Sequence, residues 1–600
     1  MSIRETKASP RIDAAAPDLV IRGGKLVDGT EAPARIADIA VSNGVITEVG
    51  EVAAKGRREI DAHGLLVTPG WVDIHTHFDG QVTWDPYLSP SCWHGVTTVV
   101  MGNCGVGFAP AKTDRHEWLI SLMEGVEDIP GSALAEGIKW NWETFPEYLD
   151  SIDAQSRVMD VAAQVPHGSV RAYVMGERGA RNEEPTPEDI EAMAGIVREA
   201  IEAGALGFST SRTLLHRAKD GEPVPGTFAE VDEVMAIGRA MGKAGHGVFE
   251  LILGDRPAEE EFQWMKAFAK ETGLPIIYGL GQATFEPEKW RDMLQLTREA
   301  RSEGAALSAY IAPRPLGMVL GWQSTFHPFC MRPAYMALAN LPFPERLERL
   351  RDPEVRASIL ADVTIERSPL FDILTKGYDR MFRLAHGEVL DYEPRKEDSV
   401  AALAERTGQA PDVIAYDMLM ENDGQGYIYI PLMNYAYYNF DHIFEMMRHE
   451  ATVISMSDAG AHCGVICDAS FPTYLMTYWA RDRVRGDRLS LEKVVSMQTR
   501  DTARLYGLND RGVIAPGMKA DMNLIDFDAL KLLAPEMIFD LPGGSRRLVQ
   551  RAEGYRATIV SGAVTFEDGE PTGEMPGRLI RGPQSPSRRL PAAANELATT

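Results

Sequence analysis

Two histidines one residue apart, His75 and His77, end an apolar run that could hold a metal ion. In an extended segment alternate side chains share a face, so both imidazoles could reach one cation. Neutral imidazole is a ligand of Zn, Fe, Ni or Cu, whereas Mg and Ca prefer oxygen donors. The spacing alone is a weak signal, because two surface histidines can lie this far apart by chance. Pro69-Gly70 before the run and Asp73 within it favour a buried metal site.

Cys104 follows a second apolar run, residues 97–102, and is a candidate third ligand. A buried free cysteine usually acts only as a small hydrophobic residue. Beside a histidine pair a thiolate ligand is favoured, because a metal lowers the pKa of the thiol and keeps it ionised. The sequence therefore predicts that Cys104 joins His75 and His77.

Asp458 follows another such run, residues 452–457, and is the candidate general base and a further metal ligand. Its carboxylate could take a proton from an attacking water. The alternative is that Asp458 only caps the N-terminus of a helix. His462, four residues later, is a candidate to support the site or to contact substrate.

Three further polar residues follow strand-like runs and are candidate substrate contacts: His167, Arg212 and His216. Arg212 offers a planar guanidinium to a carboxylate or carbonyl group. Arg212 and His167 could equally be structural anchors. No lysine stands on the run before Arg212, so a carbamylated lysine that bridges two metals is not assigned.

Strand-like runs alternate with helical stretches through the middle of the chain, which indicates βα units and a parallel sheet. The eight runs are residues 66–74, 97–102, 159–165, 204–209, 247–253, 275–280, 306–311 and 452–457. They predict an α/β protein with a (β/α)8 TIM barrel over residues 66–505, whose chemistry lies at the C-terminal ends of the strands. The histidine pair, Cys104 and Asp458 all stand at such ends.

Both ends of the chain contain short strands broken by glycine and asparagine turns. Residues 18–65 and 506–575 are therefore predicted to build one small β-sandwich. The interval 312–451 is too long for one crossover and is predicted to be an insertion before the last strand, either over the barrel mouth or as a stabilising excursion. Residues 1–17 are expected to be mobile, and residues 576–600 to be disordered or to form an arm on a neighbouring subunit.

The composition is that of a globular protein, with 44% of the 600 residues hydrophobic and 25% charged. A net charge of −26 disfavours nucleic acid and anionic lipid as partners, so a small-molecule substrate is expected. Five scattered cysteines do not indicate a disulfide framework. With no segment typical of a secretory signal or a membrane span, we expect a cytoplasmic protein without membrane contact. We also expect a homo-oligomer.

These residues are similar to the amidohydrolase superfamily and, within it, to the N-acyl-D-amino-acid deacylase (D-aminoacylase) branch. The resemblance covers most of the chain and rests on residues 69–79, 94–98, 102–105, 204–210, Asp458 and residues 515–521. It implies a barrel between the two halves of a β-sandwich. It also implies one or two zinc ions, or another divalent transition metal, near His75, His77 and Cys104, and Asp458 as general base.

The chain departs from that branch on barrel strands five and six, where the resemblance implies histidine ligands. Residues 248–252 and 277–281 contain no histidine, and Glu250 is the candidate replacement as a metal ligand. The lysine that would bind a substrate carboxylate after strand six is also absent, with Gly281 near its place. The chain therefore resembles a divergent subgroup of the branch.

From these features we predict a metal-dependent hydrolase that cleaves an amide-type C–N bond with an activated water and Asp458 as base. The expected substrate is an N-acyl amino acid or another small amide. One alternative is a metal-dependent decarboxylase, lyase or isomerase on the same scaffold, because a barrel fold does not determine the reaction. Another is a catalytically silent homologue that binds a small ligand.

Overall fold

Eight parallel strands form the central sheet of the computed structural model, which describes residues 16–364, 369–387 and 389–587. Each strand pairs with the next along the chain. The strands are Trp71–Asp73, Val96–Met101, Asp160–Pro166, Gly207–Ser211, Val248–Ile252, Ile276–Gly279, Leu307–Ile311 and Thr452–Ile454. Beyond the first and eighth strands, Thr76 forms a parallel bridge with Ala459, and the His77 N–H donates to the Ala459 carbonyl over 2.8 Å. The predicted TIM barrel is confirmed.

Helices cover the outside of the barrel, and local sequence signals set their ends. Thr186 begins Pro187–Glu202 with a capping box, and Gly245 ends Val231–Ala244 in the left-handed conformation. The other barrel helices are His116–Glu127, Gly131–Gly137, Phe145–Asp153, His167–Met175, Glu177–Ala180, Ala258–Thr272, Lys289–Ser302, Phe471–Tyr474, the π-helix Leu475–Asp482, Leu491–Met497 and Arg500–Leu505. No helix of the described residues is both long and apolar enough to span a membrane.

A nine-stranded sheet joins the two ends of the chain, as predicted. Its strands are Leu19–Leu26, Arg35–Ser42, Val45–Gly50, Arg58–Asp61, Leu66–Pro69, Met522–Ile525, Tyr555–Val560, Ala563–Glu567 and Glu570–Pro571. Ile21 and Ile39 from one end share an apolar core with Leu524 and Ile559 from the other. The two ends are therefore one folding unit.

The predicted strand over residues 66–74 is divided at Gly70. Leu66–Pro69 pairs with Met522–Ile525 in the nine-stranded sheet, and only Trp71–Asp73 belongs to the barrel. A Cβ atom at position 70 would lie 2.3 Å from the Thr97 side chain, so only glycine fits where the chain passes from sheet to barrel. The sandwich therefore extends to residue 69 rather than ending at 65.

Part of the C-terminal segment leaves the nine-stranded sheet as a hairpin of Glu536–Leu541 and Ser545–Val549. The hydroxyls of Ser132 and Ser545 lie 3.0 Å apart, and the Leu548 N–H donates to the Cys463 carbonyl over 2.6 Å. The hairpin therefore packs on the barrel beside the loop that follows the eighth strand.

The predicted insertion before the last barrel strand is confirmed and has a core of its own. Trp322 packs against the rings of Phe329, Tyr335 and Tyr416 with centroids 5.1–5.6 Å apart. Its strands are Gly317–Leu320, Phe382–Arg383, Ala385–His386, Val389–Leu390 and Ile428–Pro431, and its helices are Pro333–Met336, Phe343–Arg351, Pro353–Ala361, Pro369–Lys376, Val400–Thr407, Pro411–Gly424 and Asp441–Met447. The Thr325 N–H donates to the Gly464 carbonyl over 3.2 Å, which ties the insertion to the loop after the eighth strand.

Residues 576–587 pack against the N-terminal end of the barrel. Leu579 and Ile580 are buried, and the Ile580 N–H donates to the Val161 carbonyl over 2.7 Å. This differs from the expected disordered tail or intersubunit arm. The segment is rich in Pro and Ser, but Leu579 and Ile580 within it are buried against the N-terminal end of the barrel of the same chain. The expectations for residues 1–15 and 588–600 lie outside the described residues.

Candidate metal centre

Three side chains form a compact group at the C-terminal ends of the first two barrel strands: His75, His77 and Cys104. All three are buried, and their ligand atoms lie within 4.8 Å of one another. Cys104 Sγ is 3.3 Å from His75 Nε2, and the two imidazole rings meet edge to face with centroids 5.4 Å apart. The structure thus brings together the three ligands predicted from the sequence.

The loop that carries Cys104 is held by its neighbour Asn103. The Asn103 amide donates to the carbonyls of Thr76 and Val100, each over 3.0 Å, and its oxygen accepts from Gln164 over 2.7 Å. Cys104 itself has a φ of 57°, in the left-handed region that non-glycine residues rarely adopt. The bonds of Asn103 to Thr76, Val100 and Gln164 hold the turn that carries Cys104 beside the histidines.

Asp458 brings a carboxylate to the same group from the loop after the eighth strand. Its Oδ1 lies 3.1 Å from His75 Nε2 and 3.7 Å from His77 Nε2. Burial raises the pKa of the Asp458 carboxyl, but the two imidazoles outweigh burial and hold the pKa well below its ordinary value. The hydroxyl of Ser457 donates to Asp73 over 2.5 Å and fixes the adjacent backbone. An ionised carboxylate therefore faces the histidine pair.

Glu250, the candidate from the fifth strand, lies inside the barrel beside this group. Its Oε2 accepts from the Cys104 N–H over 3.1 Å, and its Oε1 accepts from the Tyr310 hydroxyl. The Tyr310 ring centroid is 5.0 Å from that of His75. Each carboxylate oxygen thus accepts one hydrogen bond, which holds Glu250 beside Cys104 and leaves its remaining lone pairs available to a metal.

A second group of ionisable side chains borders the first. Glu127 ends the helix His116–Glu127 and places Oε1 3.5 Å from His77 Nδ1 and Oε2 3.5 Å from His462 Nε2. Burial lowers the pKa of His77, but Glu127 and Asp458 outweigh burial and raise the pKa to about 9. Two of the four predicted substrate contacts, His462 and His216, lie here. Burial lowers the pKa of His216 to about 4, so its imidazole is neutral at pH 7.

The structure places the other two predicted substrate contacts, Arg212 and His167, outside the barrel interior. Arg212 Nε is 3.4 Å from Glu261 on the surrounding helix Ala258–Thr272. The ring nitrogens of His167 lie 2.8 Å from the Thr210 hydroxyl and 2.9 Å from Glu233. Alternate residues of the fourth strand point outwards, and Arg212 continues that outward series. The structure therefore does not bring Arg212 and His167 to the metal ligands.

Three residues near the metal ligands were not singled out from the sequence: Asp79, Glu127 and Tyr310. Burial raises the pKa of Asp79 to about 7 against the opposing effect of His77, and the Asp79 carboxylate accepts from the Gly102 N–H over 3.2 Å. The alternation that pairs His75 with His77 would have included Asp79. Tyr310 is a polar aromatic residue in a mostly apolar strand, which is a weak sequence signal for a functional residue. The sequence around Glu127 contains no such signal.

The donor set fits a transition metal. Two imidazole nitrogens, a thiol sulfur and a carboxylate oxygen are the donors that zinc takes in proteins. Bonds of about 2.0–2.3 Å in a tetrahedral site place donor atoms roughly 3–4 Å apart. The separations of His75 from Asp458 (3.1 Å) and Cys104 (3.3 Å), and of His77 from Asp458 (3.7 Å), lie in that range. His75, His77, Cys104 and Asp458 are therefore the residues that would hold such an ion.

Curated relatives match almost the whole chain. A protein of uncharacterised function from Mycobacterium tuberculosis is 28% identical over 93% of this chain and 93% of its own length. The N-acyl-D-aspartate deacylase of Alcaligenes xylosoxydans xylosoxydans is 26% identical over 94% of this chain and 95% of its own length.

Solved structures of D-aminoacylase-like enzymes share the fold. D-aminoacylase superposes with a TM-score of 0.63 and 23% identity, covering 94% of this chain and all of its own. The N-acyl-D-glutamate deacylase of Bordetella bronchiseptica, solved with zinc and a phosphonate inhibitor, gives a TM-score of 0.61 and 24% identity with the same coverage. The sequence profile of the amidohydrolase family matches residues 58–566. The chain therefore belongs to the amidohydrolase family, as a divergent member of its D-aminoacylase-like branch.

Proposed function

We propose that this protein is a metal-dependent hydrolase of an amide-type C–N bond, with Asp458 as general base. One observation carries the proposal. The ionised carboxylate of Asp458 lies within 3.7 Å of two imidazoles that form a buried ligand group with Cys104, at the end of the barrel where the chemistry of this fold takes place.

In this proposal the chain's own residues place the reactants and move a proton. A divalent metal, when bound, activates water and polarises the scissile carbonyl. Asp458 accepts the proton of the attacking water and returns it to the departing amine. His216, neutral at pH 7, and His462 border the reaction space and could hydrogen-bond the substrate.

The names of the relatives support an N-acyl amino acid or another small amide as the substrate. The N-acyl-D-aspartate deacylase aligns over nearly the full chain. The resemblance implies a lysine after strand six that binds the carboxylate of the substrate, but Gly281 lies near its place. This argues against a substrate carboxylate that is held by such a lysine. A small uncharged amide is therefore included among the proposed substrates.

Zinc is the proposed metal. D-aminoacylase has a binuclear metal centre that is activated by one metal and attenuated by a second. Here Glu250 on the fifth strand hydrogen-bonds Tyr310 and the Cys104 N–H, and the sixth strand, Ile276–Gly279, carries no histidine. The missing histidine on the sixth strand favours one ion per chain, and Glu250 is the candidate ligand for a second ion.

The second candidate function is ligand binding without catalysis. It is favoured by the absence of histidine from the fifth and sixth barrel strands, Val248–Ile252 and Ile276–Gly279. A decarboxylase, lyase or isomerase on the same metal site is a further alternative, because the ligand set does not specify the reaction. Homo-oligomeric assembly and a cytoplasmic location stay predictions from the sequence.

Metal analysis followed by substrate screening tests the proposal. Protein purified without chelator should contain about one transition-metal ion per chain by elemental analysis. It should release amine from at least one N-acyl amino acid, anilide or cyclic amide, and this activity should disappear on chelation and return with zinc. A metal-free native protein would favour the ligand-binding alternative, and release of CO₂ instead of amine would favour a decarboxylase.

A further inference from the structure

Glu127 places a carboxylate where its negative charge is energetically unfavourable. It is 2% exposed and stands at the C-terminal end of the helix His116–Glu127. The negative end of a helix dipole favours a cation rather than an anion. Burial of a charged group is unfavourable unless it is paired. A role in the helix alone therefore does not account for a glutamate at this position.

The partners of Glu127 belong to the metal centre. Its Oε1 lies 3.5 Å from His77 Nδ1, and neither atom has a hydrogen-bond partner among the described residues. Two buried, complementary atoms thus face each other across a gap slightly longer than a hydrogen bond. The other ring nitrogen, His77 Nε2, is turned towards Asp458, 3.7 Å away.

Glu127 also reaches the loop after the eighth strand. Its Oε2 lies 3.5 Å from His462 Nε2, and its backbone carbonyl accepts from the His462 N–H. His462 has a φ of 51°, a conformation that requires support from its surroundings. One glutamate thus links His77, which follows the first strand, to the loop that carries Asp458.

We propose that Glu127 is the positioning residue for His77 in the metal centre. Its carboxylate accepts the Nδ1 proton of His77, which fixes the tautomer in which Nε2 is free to bind metal and makes that nitrogen a stronger donor. Histidine ligands generally donate their second N–H to such a partner, and loss of the partner typically weakens metal binding about 10–100-fold. This inference deepens the proposed function and rests on its metal site.

Zinc affinity of the full-length protein tests the proposal. Chelator-stripped native protein and the variants Glu127→Gln and Glu127→Ala are titrated with zinc against a chromophoric chelator. We expect Glu127→Ala to bind zinc about 10–100-fold more weakly and Glu127→Gln to fall between, because an amide oxygen can still accept the Nδ1 proton. The absorption spectrum of the cobalt-substituted protein should also change, since the donor strength of His77 changes.

Two further variants separate this role from general support of the loop. Asp128→Asn alters the next residue, which accepts from the Thr325 hydroxyl and the Gly464 N–H, and should keep native zinc affinity. His462→Gln removes the imidazole that faces Glu127 Oε2 and should also bind zinc as the native protein does. An equal loss of affinity in His462→Gln would assign the effect to the loop and overturn the proposal.

The outcomes are separable from those of the proposed function. If Glu127→Ala fails to fold, as judged by circular dichroism, the near-isosteric Glu127→Gln decides. Zinc affinity within twofold of native together with an unchanged cobalt spectrum overturns the role of Glu127 alone. A native protein that binds no zinc overturns the metal site and the role of Glu127 together.

Discussion

Three residues of the metal centre and its adjoining loop have a strained backbone. Cys104, Asp458 and His462 have φ values of 57°, 47° and 51°, in the left-handed region that L-residues rarely adopt. Each such residue costs roughly 1–3 kcal/mol and persists only where its surroundings enforce it. Such strain is typical of functional sites, and here it directs a thiol and a carboxylate to the same two imidazoles.

Asp458→Asn removes the proposed base and keeps the shape of the side chain. We expect turnover of any amide substrate to fall by roughly 10²-fold or more, because general base catalysis contributes about that factor. Zinc should still bind through His75, His77 and Cys104, so turnover is compared at a zinc concentration that saturates both proteins. Unchanged turnover would end the assignment of Asp458.

At the scale of elements, loops after neighbouring strands carry the ligands, and close backbone contacts hold those loops in place. Gly102, at the end of the second strand, has a φ of 81°. A Cβ atom there would lie 2.2 Å from the backbone oxygen of Gln164 on the third strand. The turn that presents Cys104 therefore requires a residue without a side chain.

Gly102→Ala tests this dependence, with Gly304→Ala as a matched control. Gly304 has a φ of 89° but no atom within 4 Å of an added Cβ, so its substitution adds only backbone strain, about 1–2 kcal/mol. Gly102→Ala adds the clash to the same strain. We expect a larger fall in melting temperature and a loss of bound zinc in Gly102→Ala only. Equal behaviour of the two variants would show that the contact with Gln164 does not hold the metal loop.

At the scale of the whole molecule, one carboxylate joins three distant parts of the chain. Asp160 begins the third barrel strand. Its carboxylate accepts from Arg511 over 2.7 Å and from the backbone N–H of Arg578 over 2.9 Å, and lies 3.0 Å from Lys519. Burial raises the pKa of Asp160, but Lys519 and Arg511 outweigh burial and lower the pKa to about 2. The N-terminal end of the barrel, the sandwich and residues 576–587 thus meet at one ion-pair network.

This network predicts how stability depends on pH. A carboxyl whose pKa is lower in the folded state stabilises the protein above its unfolded pKa, and this stabilisation is lost as the pH falls towards the folded value of about 2. Asp160→Asn should therefore cost about 2 kcal/mol at pH 7. The difference from native protein in thermal melting should shrink as the pH is lowered below about 4.

Asp526→Asn is the control for Asp160→Asn. Asp526 pairs with Arg556 on the surface, 2.9 Å apart, and removal of an exposed pair usually changes stability by less than about 1 kcal/mol. A melting difference for Asp160→Asn that is the same at pH 7 and pH 3 would show that the charge of Asp160 does not stabilise the junction.

Sequence patterns determined the barrel, the insertion and the four proposed ligands. Apolar runs of strand length alternate with helices, and parallel βα units place the C-terminal ends of their strands on one side. Residues that follow different runs, such as His75, Cys104 and Asp458, could thus be predicted to lie together. The strand over residues 66–74 was bounded wrongly because the partner of Leu66–Pro69 is Met522–Ile525, more than 450 residues away.

Only the tertiary structure decided which polar residues around the ligands face the barrel interior. Arg212 and His167 follow barrel strands but pair with Glu261 and Glu233 in the helical layer. Glu127 lies on a helix in a run without any motif, yet it faces His77. Periodicity predicts the side of a strand on which a residue lies. It does not predict which helix packs near that residue, such as the helix that brings Glu127 to His77. The approach of that helix is set by packing between elements distant in sequence, which no local pattern encodes.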